Sequence, residues 1–332
     1  MNGISKGLSR LAPQLVALAL VLLIDWFVSP SFFAIQLVDG RLAGSFVDVF
    51  IRCAPVALLA LGMAAVIATR GIDLSVGAIM AIAGTVAADA VASGQPWYVA
   101  MALALAAGLA CGIWNGILVA FLGLQPIVAT LVLMVAGRGI AQLISGGKII
   151  TFNDPAFDAL VSGSFLTIPA PVIVVLVVAA LLMTLMRRTA LGLMIEATGT
   201  NPRAAFLIGI NTKMVTVSVY AICGVTAALA GLLAAADISG ADANNAGLWL
   251  ELDAILVVVL GGASLLGGSF SYMQTLIGAV TLQAIKTGIL LAGFPPQMNL
   301  IVMATLISIL LIVQAPRTRN WFQQRRHRKK IA

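Results

Sequence analysis

Apolar residues in this chain form successive runs of about 20 residues, and short polar segments separate the runs. A helix of that length crosses a bilayer core of roughly 30 Å. Glycine and proline stand in most of the separating segments, where they end helices. The pattern predicts ten membrane spans, at about residues 11–30, 50–69, 74–92, 97–122, 126–145, 168–186, 213–236, 252–266, 271–292 and 297–315.

The composition indicates an all-α polytopic membrane protein. Hydrophobic residues make up 61% of the 332 residues and charged residues 9%, whereas a soluble protein of this length needs far more charge to cover its surface. We expect one membrane domain over 11–315, preceded by a cytoplasmic segment 1–10 and followed by a basic cytoplasmic tail 316–332. The first apolar run resembles a signal peptide, but it is long, carries Asp25 and lacks a clear cleavage site, which favours a retained helix.

Basic residues predict the orientation. Ten spans place both termini on one side, and lysine and arginine concentrate in cytoplasmic segments. With the N-terminus inside, the outer segments hold only Arg41, Arg52 and Lys148. The inner segments then hold the seven basic residues of the tail together with Lys6, Arg10, Arg70, Arg187, Arg188, Arg203 and Lys213. We therefore expect both termini in the cytoplasm.

Several classes of function are disfavoured. Much of the net charge of +7 lies in the tail, where it is typical of a cytoplasmic membrane anchor rather than of nucleic-acid binding. Cys53, Cys111 and Cys223 stand singly in apolar runs, and the one histidine, His327, lies in the tail, so no metal site is expected. Few acids lie within the spans, which leaves a proton-relay carrier little to work with.

Catalytic motifs and a nucleotide site are also missing. The segment Gly146-Gly147-Lys148-Ile149 lacks the first glycine and the hydroxyl residue of a P-loop. No His-Glu-x-x-His or Gly-x-Ser-x-Gly sequence occurs. We expect no catalytic residue and no bound cofactor in this chain.

The long cytoplasmic connection 187–213 carries the first functional signal. Asn201 is a good helix N-cap, Pro202 suits the first helical position, and Gly209 suits the position after the end. The short helix between them would expose Phe206 and Leu207, which is costly in water unless the helix docks on a partner. A helix that lies on the membrane surface is the alternative.

The second signal is the segment from Arg70 to Gly77 at the inner end of the second span. Its glycines permit a tight turn and close helix approach. One interpretation is an inner hinge or gate that comprises Gly71, Asp73, Ser75 and Gly77. The other is that Asp73 merely caps the third span.

The third signal is a polar and aromatic stretch that precedes the eighth span. Asn244, Asn245, Trp249 and Glu251 would form an outer mouth suited to a polyhydroxylated ligand or a docking protein, and Asp253 and Arg138 are expected along the same pathway. The alternative is structural: Trp249 anchors the span at the interface, and Glu251 and Asp253 cap it. The pairs Gly71–Gly77 and Gly262–Gly268 have equal spacing, which hints at an internal repeat.

Other intramembrane features favour packing roles. Gly108, Gly112 and Gly116 form a small-residue stripe that is typical of tight helix contact, and Asn115 lies beside it. Arg138 and Lys286 are the ionisable groups deepest in the spans, and each is expected to pair with an acid or to reach toward the interface.

Taken together, these motifs resemble the ribose-type permeases of bacterial ABC importers for monosaccharides, over about residues 45–315. The resemblance rests on Gly71-Ile-Asp-Leu-Ser-Val-Gly77, Gln125-Pro-Ile-Val-Ala-Thr-Leu131 with Arg138-Gly139, the Gly199 to Ile210 loop and Glu251-Leu-Asp-Ala-Ile255. Further likeness to the galactofuranose permeases of this family lies in Gly40-Arg-Leu-Ala-Gly44, Ala241-Asp-Ala-Asn-Asn-Ala-Gly-Leu-Trp-Leu-Glu251 and Thr287-Gly-Ile-Leu-Leu-Ala-Gly-Phe-Pro-Pro296.

The resemblance implies a fold like that of the vitamin B12 importer permease. It implies a second, related permease subunit in a heterodimer, an ATPase with two fused nucleotide-binding domains that uses ATP and Mg²⁺, and a periplasmic sugar-binding protein. It places the inner gate near Leu124, Gln125 and Pro126. It places the coupling helix at 202–208, so that the coupling residues are Glu196, Asn201, Pro202, Arg203, Ala204, Ala205, Phe206, Leu207 and Gly209.

The chain departs from the family pattern at two places. Arg70 stands where the family usually has a small residue or glycine, and Thr198-Gly199-Thr200 stands where a double glycine is more common. Arg70 is expected to alter the inner loop.

We therefore expect a membrane subunit of an ATP-driven sugar importer in the bacterial inner membrane, which performs no chemistry itself. An ion-coupled secondary sugar carrier is one rival, but it would need intramembrane ion ligands. An intramembrane enzyme is a second rival, and a permease of the same family for ribose, xylose or another small solute is a third.

Overall fold

The computed structural model describes residues 2–38, 40–295 and 297–314. The predicted basic tail 316–332 with His327, and also Asp39 and Pro296, lie outside these residues. The helices are α1 (Asn2–Val28), α2 (Ser45–Ala68), α3 (Val76–Ala92), α4 (Trp97–Ala120), α5 (Pro126–Ser145), α6 (Pro155–Ser162), α7 (Ala170–Arg188), α8 (Leu191–Thr200), α9 (Pro202–Leu207), α10 (Thr212–Asp237), α11 (Leu250–Leu260), α12 (Tyr272–Leu291) and α13 (Met298–Gln314).

The long apolar helices identify a multi-pass membrane protein. Seven helices of the described chain, α1, α2, α4, α5, α7, α10 and α12, are long and apolar enough to cross a bilayer. The helices α3, α11 and α13 are shorter and lie at the positions of the other three predicted spans. The all-α membrane class is therefore confirmed, while the count of ten spans and the orientation stay predictions.

Two predicted boundaries were wrong. The eighth span was expected over 252–266, but α11 ends at Leu260 because Gly261 and Gly262 follow, and Gly262 adopts a left-handed φ of 90°. The second span was expected from residue 50, but α2 begins at Ser45 with Asp48 in its first turn.

Helix α10 lies at the centre of the packing. It contacts α2, α3 and α4, and α3 in turn packs on α4 and α5. The predicted glycine stripe of α4 packs closely against α10: a Cβ on Gly108 would lie 2.5 Å from Ala228, and one on Gly116 would lie 2.7 Å from the Cα of Val217. The packing role predicted for the stripe is confirmed.

Short strands gather at one end of the molecule, which we call the strand end. The pairs are β1 (Gln36–Val38) with β2 (Arg41–Ala43), β3 (Ile150–Thr151) with β6 (Gly240–Ala241), and β4 (Ser164–Phe165) with β5 (Ile168–Pro169), all antiparallel. The opposite end, which we call the α9 end, carries α8, α9 and the loops that follow α2 and α11. Segments predicted to lie on the same side of the membrane therefore meet at the same end.

Candidate functional site

The predicted short helix of the 187–213 connection is present as α9. The Asn201 side chain accepts hydrogen bonds from the backbone N–H groups of Arg203 and Ala204 at 3.1 and 3.0 Å. Pro202 occupies the first helical position, and Gly209 follows the end of the helix with a φ of 89°. Both caps are therefore formed by the residues that the sequence indicated.

Helix α9 presents a wide apolar surface. Phe206 is 67% exposed, Leu207 79% and Ile208 76%, whereas Ala205 on the same helix is buried. A large exposed apolar edge on a capped, six-residue helix is the kind of surface that marks a docking site.

Glu196 belongs to a different element from the other predicted coupling residues. It lies on α8 and lines a small cavity with Met183 and Arg187 of α7 and with Phe270. The structure thus separates Glu196 from the exposed edge of α9, although both lie at the α9 end.

The loop from 69 to 75, between α2 and α3, is built around a buried carboxylate. Asp73 is fully buried and accepts hydrogen bonds from the Ser75 backbone N–H at 2.9 Å and from its hydroxyl at 2.6 Å. Asn115 of α4 donates to the Ser75 hydroxyl at 2.8 Å. Asp73 therefore holds Ser75, the residue before α3, and makes no bond to the N–H groups of the first turn of the helix. Asn115 ties this loop to α4.

Side chains of α5 and α10 also form hydrogen bonds with backbone groups of this loop. The Leu74 N–H donates to the Thr130 hydroxyl of α5 at 3.1 Å, and the Tyr220 hydroxyl of α10 donates to the Ile72 carbonyl at 3.5 Å. Irregular backbone is tolerated in a membrane protein where other protein groups supply its partners. Thr130 stands one turn after the exposed Leu124–Pro126 turn, so the two parts of the predicted inner gate are joined through α5.

The polar stretch before α11 is held largely by its own residues. Asp242 accepts from the backbone N–H groups of Asn244 and Asn245 and from the Asn245 side chain, the last at 2.7 Å. The Asn245 amide lowers the pKa of the Asp242 carboxyl. Asn244 accepts from Gln142 of α5 at 2.8 Å. The side chains of Asn244 and Asn245 thus already form hydrogen bonds within the protein. They have fewer free donors and acceptors for a ligand than the predicted outer mouth would need.

Arg138 fixes the same stretch to α5. Its guanidinium donates to the carbonyls of Ala243 and Ala246 at 3.1 and 2.5 Å. Arg138 and Lys286 were each predicted to pair with an acid or to reach toward the interface. Lys286 does pair with an acid, since it bonds Asp253 at 2.5 Å. Arg138 instead binds backbone carbonyls, which a planar guanidinium with several donors can do.

The predicted mouth residues divide into exposed and buried ones. Trp249 is 59% exposed and has a left-handed φ of 66° at the start of α11. Glu251 and Asp253 lie in the first turn of α11 but are buried. Acids in a first turn interact favourably with the helix dipole, but neither side chain caps α11, and Asp253 pairs with Lys286. The mouth and capping interpretations of these two acids both stay predictions.

Gly77 and Gly247 bring the second and third sequence signals into direct contact. A Cβ on Gly77 would collide with the Gly247 carbonyl and would lie 2.6 Å from a carboxylate oxygen of Glu251. A Cβ on Gly247 would in turn collide with the Gly77 carbonyl. The two segments were assigned to opposite sides of the membrane, yet Gly77 in the first turn of α3 contacts Gly247 in the stretch before α11.

Sequence reasoning missed a cavity near the strand end. The cavity has a volume of about 650 Å³. Its polar lining comprises Asp48, Arg52, Asp237, Asp242, Asn245 and Gln283. These residues come from four separate segments of the chain, so no local motif could have grouped them.

The long apolar helices packed around α10 define the class of the chain as a multi-pass membrane protein. The sequence model described as branched-chain amino acid transport system / permease component matches residues 45–311. This chain therefore belongs to that family.

Relatives with assigned roles cover nearly the whole chain. Galactofuranose transporter permease protein YtfT of Escherichia coli (strain K12) is 55% identical over 92% of this chain and 89% of its own length. Fructose import permease protein FruF of Bifidobacterium longum (strain NCC 2705) is 38% identical over 96% of this chain and 92% of its own length. Ribose import permease protein RbsC of E. coli (strain K12) is 38% identical, over 90% and 92% respectively. No solved structure matches the chain.

Proposed function

We propose that this chain is the membrane subunit of an ATP-binding-cassette importer that carries a monosaccharide, galactofuranose or a related sugar, into the cytoplasm. The observation that carries the proposal is the 55% identity to a galactofuranose permease over 92% of the chain. The exposed edge of α9 adds a physical reason, because a transport subunit without its own nucleotide site needs a surface on which an ATPase can act.

The proposed assembly has four kinds of component. A second, related permease encloses the path with this chain, and a periplasmic protein delivers the sugar. An ATPase with two nucleotide-binding domains binds ATP and Mg²⁺ and docks on α9. Hydrolysis then moves the helices between outward-open and inward-open states.

Docking on α9 is tested by Phe206→Asp. A carboxylate placed in an apolar contact is costly to bury, so we expect normal membrane insertion but lost uptake and lost stimulation of the ATPase. Leu166→Asp is the matched control, since Leu166 is 78% exposed at the strand end. Wild-type uptake in the Phe206→Asp variant would contradict docking and leave the membrane-surface alternative. Ala205→Asp is unsuitable because Ala205 is buried within the chain.

Orientation is tested by thiol labelling of intact cells. Single cysteines at Asp158 and Thr200 are introduced into a variant that lacks Cys53, Cys111 and Cys223. An impermeant reagent should label the first position and spare the second. The reverse pattern would overturn the orientation with both termini inside.

Sugar identity is tested on the partner that delivers it. The co-expressed periplasmic binding protein is purified and its bound sugar is identified. Uptake of the same sugar by the reconstituted importer should then depend on this chain. Recovery of ribose or xylose would assign the chain to another substrate of the same class.

A further inference from the structure

Arg70 binds the end of α8. Its Nε donates to the Gly199 carbonyl at 2.5 Å and its Nη2 to the Thr200 carbonyl at 2.6 Å. The last carbonyls of a helix have no partner within the helix, and a cation there also meets the negative end of the helix dipole. Arg70 thus terminates α8 immediately before Asn201, the N-cap of α9.

The same place joins three segments by backbone contact. Gly268 N–H, from the loop after α11, donates to the Ala68 carbonyl at the end of α2 at 2.9 Å. Gly199 fits against both: a Cβ there would collide with the Ala68 carbonyl and would lie 2.7 Å from the Gly268 nitrogen. Close backbone contact of this kind transmits displacement, since no flexible side chain lies between the segments.

The backbone of Arg70 gives a second indication that its side chain matters. Its φ of 67° is in the left-handed region, which glycine adopts readily and arginine does not. An arginine at such a position is opposed by its own backbone preference, and its two hydrogen bonds to α8 offset that preference. The loop that starts at Arg70 runs through Asp73 into α3, whose first turn contains Gly77, and Gly77 touches Gly247.

We propose that Arg70 is a positioning residue for energy coupling. It fixes the base of α9 to the loop between α2 and α3, so that displacement of α9 by the ATPase moves this loop and, through Gly77, the Gly247 turn. The inference rests on the proposed docking of the ATPase on α9, and it adds the connection that carries the motion away from α9.

The decisive variant is Arg70→Gly. Glycine accepts the left-handed φ and removes only the guanidinium and its stem, so the fold should persist. Arg70→Lys keeps a cation and a long stem but can donate from only one nitrogen. The complete importer is reconstituted in liposomes, and sugar transported per ATP hydrolysed is measured together with the KM for the binding protein loaded with D-galactofuranose.

In the Arg70→Gly variant we expect the ATPase to remain bound in the complex and the KM for the loaded binding protein to stay unchanged. The amount of sugar transported per ATP hydrolysed should fall severalfold. Arg70→Lys should restore part of that ratio. A wild-type ratio in Arg70→Gly would overturn the proposal. So would a loss that only follows a lowered amount of folded protein or a lowered Tm, because that result would make Arg70 merely structural.

A parallel variant separates this inference from the proposed function. Phe206→Asp should lose the stimulation of ATP hydrolysis itself, whereas Arg70→Gly should keep it. Failure of docking would therefore appear as normal transport in Phe206→Asp. Failure of the Arg70 inference alone would appear as a normal transport ratio in Arg70→Gly beside an inactive Phe206→Asp.

Discussion

The loop between α2 and α3 and the loop between α11 and α12 carry the same glycine spacing but have different structures. Neither Gly71 in the first loop nor Gly77 in the first turn of α3 has a left-handed φ, and each faces a close neighbour. In the second loop Gly262, Gly267 and Gly268 have φ values of 90°, 81° and 101°. Glycine permits close approach in the first region, whereas in the second it also supplies a left-handed backbone conformation.

The difference extends to how each loop is held. The first loop is surrounded by side chains from α4, α5 and α10, and its two helices pack on α10 rather than mainly on each other. The helices α11 and α12 pack together and are bridged by the Asp253–Lys286 ion pair, while much of the chain between them is exposed. Equal glycine spacing is therefore no evidence of a structural repeat at these loops.

The largest loss of stability is expected from breaking the ion pair between α11 and α12. Asp253→Ala leaves the Lys286 ammonium without its partner in a mostly buried position, which should cost on the order of 3 kcal/mol. The double variant Asp253→Ala with Lys286→Met should recover much of that loss, because no unpaired charge remains. Thermal unfolding in detergent measures both, and equal destabilisation of single and double variants would show that the pair does not hold α11 to α12.

Gly77→Ala tests close approach in the first turn of α3, directly after the first loop. Alanine would favour the helix by itself, but its Cβ meets the Gly247 backbone and Glu251, neither of which has space to move. We expect a loss of about 2 kcal/mol or more from overpacking, with reduced uptake. Gly139→Ala is the control, since Gly139 lies in α5 with nothing near its Cβ position. Equal behaviour of the two variants would remove the close-contact explanation.

Replacing one serine in each loop by alanine compares how tightly the two loops are held. Ser75→Ala removes the hydroxyl between Asp73 and Asn115 and leaves the buried Asn115 amide short of a partner, a loss of about 1–2 kcal/mol. Ser269→Ala in the exposed second loop should change stability by less than about 0.5 kcal/mol. Chemical denaturation or melting temperature measures the pair. A larger effect at Ser269 would reverse our description of which loop is tightly held.

The smallest effect is expected for Gly262→Ala. Its left-handed φ should cost an alanine about 1 kcal/mol, and the one close neighbour is the end of a flexible side chain, Gln14, at 2.7 Å from the Cβ position. Transport per folded molecule should stay at the wild-type level. A loss of transport without loss of stability would show that the second loop takes part in the cycle as directly as the first.

Local signals predicted much of this structure. Helix positions follow from long apolar runs, and the caps of α9 follow from Asn201, Pro202 and Gly209, because capping depends on residues within one turn. The predicted exposure of Phe206 and Leu207 followed for the same reason and is confirmed. Membership of the permease family was also predicted from the combination of motifs.

Long-range contacts account for what was missed. Nothing local to Arg138 indicates that it binds the carbonyls of Ala243 and Ala246, more than a hundred positions away. The contact of Gly77 with Gly247 likewise depends on how two loops enter the bundle, and hydropathy assigns loops to a side without showing how far they reach inward. The cavity residues and the hydrogen bonds of Arg70 to α8 belong to the same class.

Backbone contact between Gly77 and Gly247 also bears on the permeability of the membrane. Gly247 lines the 650 Å³ cavity, and Gly77 lies directly behind it with no space for even a methyl group. The two facing glycines therefore leave no gap between the cavity wall and the start of α3 at this contact. A side chain on either residue would have to separate the two backbones and so widen the passage between them.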